Sequence, residues 1–101
     1  MLISSAVVVT DAPARYVKQL LSHLGRRITA ESLPDDPAGG RLVFPFGTAV
    51  LRSGEGRLTL EACAPDAEGL AQVEDVLGRH LERFGARSEL AVNWVRQVQP
   101  G

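Results

Sequence analysis

Apolar residues recur at two spacings along this 101-residue chain, and the spacings separate helices from strands. From Ala64 to Phe84, the residues Leu70, Val73, Leu77, Leu81 and Phe84 follow at steps of three and four. That rhythm places one apolar stripe on a helix of 3.6 residues per turn. Pro65 and Asp66 predict the start, because proline suits the first helical position and a carboxylate in the first turn complements the helix dipole. Gly85 predicts the stop, as the left-handed residue that commonly closes a helix. Asp75, Arg79 and Arg83 lie at i,i+4 on the opposite face, as on a solvated surface. An earlier helix is predicted from Asp11, read as its cap, through Pro13 to about Gly25. Val17, Leu20, Leu21 and Leu24 form its stripe, and Arg26 and Arg27 sit at its end, where cations favour the dipole.

The other segments read as strands. Residues 2–10 are apolar and β-branched, and predict a buried strand. Residues 27–33 predict a short one. LPDDPAGG, 33–40, carries prolines and adjacent glycines and predicts a loop. In RLVFPFGTAVLRS, 41–53, strand character lies on both sides of Pro45. FPFG fits a type I turn and hence a hairpin. One long edge strand bent at Pro45 is the alternative. SGEG, 53–56, predicts a second turn. RLTLEACA, 57–64, alternates cleanly, with Leu58, Leu60 and Ala62 on one face and Arg57, Thr59, Glu61 and Cys63 on the other. SELAVNWVRQV, 88–98, predicts the last strand, with Leu90, Val92 and Trp94 opposite Ala91, Asn93 and Val95.

Superimposing Val17 on Leu70 also brings Leu20 onto Val73, Leu24 onto Leu77 and Ile28 onto Leu81. Each half is then strand–helix–strand. The expected fold is therefore α+β, with two helices on one face of a mostly antiparallel five- to six-stranded sheet. Its expected order is ferredoxin-like, β-α-β-β-β-α-β, in a single domain over residues 1–101. Leu58, Leu60, Leu90 and Val92 should point toward the helices, leaving the other sheet face open.

Composition narrows the function classes. Hydrophobic residues make up 45% and charged residues 23%, as in a globular domain rather than a disordered one. The formal net charge is −1, so the basic surplus of a nucleic-acid binder is missing. Of eleven basic residues only Lys18 is a lysine, which reads as genomic codon bias rather than a design for phosphate contacts. The first apolar run has no basic leader and breaks at Asp11 and Pro13, too soon to cross a bilayer. The expectation is a soluble cytoplasmic protein. Cys63 is the only cysteine, which excludes an internal disulfide and a multi-cysteine metal site.

Candidate chemistry is sparse. His80 falls near the boundary of the second helix's apolar stripe. There it could face a pocket and move a proton, although a packed histidine bonded to backbone is the commoner outcome. His23 lies farther from its own stripe and reads as exposed. Neither histidine has a carboxylate one helical turn away, so no metal set and no cofactor are expected. Cys63 precedes a helix, where a thiol can be acidified, but it is also small enough to be filler. Trp94 reads as a core anchor or the wall of a pocket. Glu61 and Asn93, on the outward face, complete the candidate ligand-binding set. Phe44 and Phe46 read as core or turn packing rather than as the stacking pair of an RNA-binding sheet. No phosphate loop and no Ser/His/Asp arrangement is legible.

At FPFG, APDA and HLERF, with DAPARY near the start and NWVR near the end, the sequence resembles a small bacterial family known as domain of unknown function 2218. The resemblance spans essentially the whole chain and implies a compact α/β domain of bacterial origin. It carries no catalytic residues. It also implies an association with flavin-dependent siderophore-interacting proteins, and hence an iron-handling context. The expectation is a ligand- or partner-binding domain working through the open sheet face and the edge near His80. The alternative is a homodimeric interaction module joined through that face or an edge strand. An enzyme using Cys63 or His80 is the least favoured reading.

Overall fold

The structure, a computed structural model, describes residues 1–86 and 90–97. Eight elements follow in order: β1 (Leu2–Val9), α1 (Pro13–Leu24), β2 (Thr29–Leu33), β3 (Asp36–Phe44), β4 (Gly47–Gly54), β5 (Arg57–Ala64), α2 (Ala67–Phe84) and β6 (Val95–Gln97). The strands form one sheet in the order β2-β3-β4-β5-β1-β6, antiparallel throughout. Both helices pack on one face, as the apolar stripes require. β6, β1, β5 and β4 with the two helices reproduce the ferredoxin-like connectivity, and β2 and β3 extend the sheet beyond β4.

The FPFG segment is a hairpin. Phe44 pairs with Gly47 across the turn, which gives six strands rather than five. The loop expected over 33–40 is instead a second tight hairpin, turning at Pro34-Asp35. Its register slips between Ser32, opposite Gly40, and Leu33, opposite Asp36. Pro37, Ala38 and Gly39 occupy that slip, so Pro37 breaks no ladder bond to β2. The Asp36 carboxylate accepts from the Ala38 N–H at 3.1 Å, and Arg52 lies 3.6 Å from both Asp35 and Asp36. In the SGEG turn Gly56 takes φ +70°, a conformation that favours glycine.

Helix ends depart from expectation in three places. Ala12, not Asp11, is the N-cap of α1, and the Thr10 Oγ1 accepts from the Ala12 N–H at 3.2 Å. Asp66 caps α2, accepting from the Gly69 N–H at 2.7 Å, so Pro65 lies just outside the helix. Gly85 is not left-handed: its φ is −99°. The Leu90 side chain lies where a Cβ at Gly85 would stand, so contact rather than conformation favours glycine there.

The core is the layer between helices and sheet. Leu20, Leu77 and Leu81 from the helices and Leu42, Leu51, Leu58 and Leu60 from the sheet are wholly buried. Each such side chain contributes about 1.5–3 kcal/mol on burial. Leu90, Val92 and Trp94 are half-buried and pack against this core, as the alternation predicts, but they precede β6 instead of lying in it. Ser88, Glu89 and Val98 of the expected last strand lie outside the described residues. Among the described residues no helix is long and apolar enough to cross a membrane.

Candidate functional site

The end of α1 and the residues that follow it share a cavity of about 510 Å³ with α2 and the β3–β4 hairpin. It is lined by His23, Leu24, Arg26, Arg27 and Ile28 from the end of α1 and the residues after it, by Phe44, Pro45 and Phe46 at the hairpin end, and by Val76 and His80 of α2. The volume falls within the range of small-molecule sites. The Phe44 and Phe46 rings stack with centroids 5.2 Å apart and planes at 20°. The FPFG turn produces this stack, because it folds two aromatics of one hairpin end onto each other.

Two imidazoles meet at the rim. The His23 and His80 ring centroids are 5.1 Å apart, and Phe84 lies edge-on to His23 at 5.6 Å. The Nδ1 of His80 lies 2.7 Å from the Val76 carbonyl oxygen. A carbonyl can only accept, so Nδ1 carries the proton and donates it. Nε2 is then left as the variable nitrogen, an acceptor when neutral and a donor when protonated. The backbone-bonded histidine and the pocket histidine are thus the same residue. The cavity's lining, among the described residues, includes two guanidinium side chains and no carboxylate.

His23 is exposed, as the sequence predicts, but it also lines the cavity, which the sequence reading does not anticipate, and Arg26 and Arg27 read there only as helix-end cations. The wheel of α1 measures position against its own stripe. It cannot report that α2 supplies a second imidazole alongside.

The structure separates the other predicted residues from His80. Trp94 flanks a shallow groove on another side of α2, with Glu74, Asp75, Gly78, Arg79, Glu82 and Val92. Neither of these two linings holds both residues: His80 lines the cavity and Trp94 the groove. Asp75 and Arg79 pair there at 3.1 Å, and Glu82 accepts from the Val92 N–H at 3.0 Å. Arg96 of β6 grips Glu74 of α2 through two bonds of 2.8 and 3.2 Å. That bond holds the Glu74 carboxyl below the usual carboxylate range against the opposing effect of burial. The buried Ser4 hydroxyl adds a weaker lowering without reaching hydrogen-bond geometry.

Cys63 and Glu61 stand on the open sheet face, opposite Ile3 and Ser5 of β1 and turned away from the helices. Burial first, and Glu61 second, push the Cys63 thiol up from its ordinary value. Asn93 is exposed in the segment before β6. No cluster of three or more His, Cys, Asp or Glu residues suited to a metal occurs among the described residues.

Six antiparallel strands with both helices on one face, and a basic, aromatic-floored cavity at the helix ends, define a ferredoxin-like α+β domain with a sheet-edge hairpin. The chain belongs to the bacterial family described as "Uncharacterized protein conserved in bacteria (DUF2218)", whose model matches residues 5–95. It is similar to PA4090 from Pseudomonas aeruginosa, whose structure was determined by NMR. The two share 27% sequence identity over 94% of this chain and 96% of that one, with a TM-score of 0.77. No curated protein matches the sequence significantly.

Proposed function

We propose that this domain is a binding module for a small anion with a flat apolar body, held in the cavity between α1, α2 and the β3–β4 turn. The lining supports this reading: two imidazoles and two guanidinium groups, with no carboxylate among the described residues, stand over a stacked phenylalanine floor. The floor suits an aromatic ring, which stacks favourably at such spacing. Arg26 and Arg27 suit a carboxylate, which a guanidinium can take through two parallel bonds. His80 Nε2 can accept from a ligand hydroxyl when neutral or donate to the anion when protonated. An aromatic carboxylate or a catecholate siderophore belongs to this ligand class. The iron-handling context implied by the family resemblance is proposed on that footing.

The test compares three probes by NMR titration of the full chain: 2,3-dihydroxybenzoate, benzyl alcohol and inorganic phosphate. The dihydroxybenzoate should give saturable shifts at His23, His80, Phe44 and Phe46. Benzyl alcohol, lacking the anion, and phosphate, lacking the ring, should each bind at least tenfold more weakly. Arg26→Ser/Arg27→Ser should remove the preference for the carboxylate. Equal binding of benzyl alcohol and dihydroxybenzoate, or no saturable shift at the cavity, would overturn the reading.

A further inference from the structure

The sheet face opposite the helices carries a second feature, independent of the cavity. Among the described residues the exposed large apolar side chains are Met1, Val7 (59% exposed), Val9 (79%) and Val95 (66%). Val7 and Val9 alternate outward on β1, and Val95 stands beside them on β6, opposite Ser5. On β5 the outward row reads Arg57, Thr59, Glu61, with the two charges equally spaced about the threonine. Val7 and Arg52 stand level with Thr59 on the adjoining strands.

We propose that this face is covered by a second copy of the chain, related by a two-fold axis that lies across the strands at Thr59. Such an axis reverses strand direction and leaves each strand over its own copy. Arg57 of one copy then meets Glu61 of the other, twice per dimer. Val7 meets its symmetry mate, and Val9 descends over Ser5 beside Val95. Arg52 falls on the axis row, but Asp35 and Asp36 hold its guanidinium within 3.6 Å. The face is thus complementary to itself in charge as well as in apolar position, which is what an isologous interface requires.

The area suffices. Four long strands spaced about 4.8 Å apart, each rising about 3.3 Å per residue, present roughly 500 Å². Two copies bury about 1,000 Å² before the edge strands are added, the lower bound of a biological interface. Two sheets packed this way keep their strands within about 30° of each other. The cavity stays open in such a dimer, because it lies on the helix side.

The experiment is sedimentation equilibrium of the full chain at about 0.1 M salt, where charges interact over about 10 Å. The wild type should show twice the chain mass of 10.8 kDa at micromolar concentration. Arg57→Glu sets two acids together across the axis, and Glu61→Arg sets two bases together, so each variant should dissociate at least tenfold more readily. An equimolar mixture of the two variants restores both opposite-charge pairs and should recover the dimer as a heterodimer. The double reversal should recover it as a homodimer. A variant that merely failed to fold would recover nothing on mixing. A monomeric wild type at 100 µM, single reversals that do not weaken association, or no recovery in the mixture would each overturn the proposal.

Discussion

Two glycines on α2 should respond oppositely to the same substitution. Gly78 lies in the middle of the helix, and a Cβ built there meets nothing closer than the Trp94 Nε1 at 3.6 Å, an ordinary contact. Alanine is about 0.8–1.0 kcal/mol better than glycine in a helix interior. Gly78→Ala should therefore stabilise the protein by about that amount, raising Tm by about 4–8 °C for a domain of this size. Gly69 lies in the first turn of the same helix. A Cβ there would stand 2.5 Å from the Phe46 carbonyl oxygen and 3.3 Å from the Ala64 Cβ. The carbonyl is backbone and cannot rotate away, so the β3–β4 turn must shift. Overpacking of this kind costs about 1–3 kcal/mol, more than the helix preference returns. Gly69→Ala should be destabilised by up to about 2 kcal/mol net, and should also displace Phe46 from the cavity floor. Urea melts of both variants with unchanged m-values would measure the difference. A stabilised Gly69→Ala would refute the close approach of helix and turn, and a destabilised Gly78→Ala would refute the loose packing under Trp94.

Two further outcomes follow from the core and from the α2–β6 bond. Leu77→Ala removes a wholly buried side chain and should cost about 2–5 kcal/mol in denaturant melts; a loss well below that range would mean that α2 is not packed as described. Glu74→Gln should cost about 1–2 kcal/mol at pH 7, discounted because Arg96 is half exposed. The folded Glu74 carboxyl is lowered, so its contribution is complete above the usual carboxylate range and is lost as pH falls through the folded value. The gap between wild type and Glu74→Gln should close in melts taken at progressively lower pH, and a gap that widens on acidification would contradict the assignment.

Periodicity determined the elements of this protein. Steps of three and four from Leu70 to Phe84, and strict alternation from Arg57 to Ala64, specify a helix and a strand whatever surrounds them, because both patterns are local. The FPFG and SGEG turns were legible for the same reason. LPDDPAGG was misread because proline and glycine mark a break in the ladder without saying how long it is. Only the partner strand shows that the break is a register slip around Pro37. The open face was legible from alternation, but the level at which Arg57, Thr59 and Glu61 stand beside Val7 and Val9 was not, because strand register is set by the partner strand. The cavity depended wholly on tertiary structure. His23 and His80, far apart in the chain, meet because two helices pack side by side. Arg26, Arg27, Phe44 and Phe46 join them because α1 ends where the β3–β4 hairpin turns. A one-dimensional pattern records which side chains are buried by their own element. Which side chains from different elements share a space is set by helix length and strand order, and those are consequences of packing the whole chain.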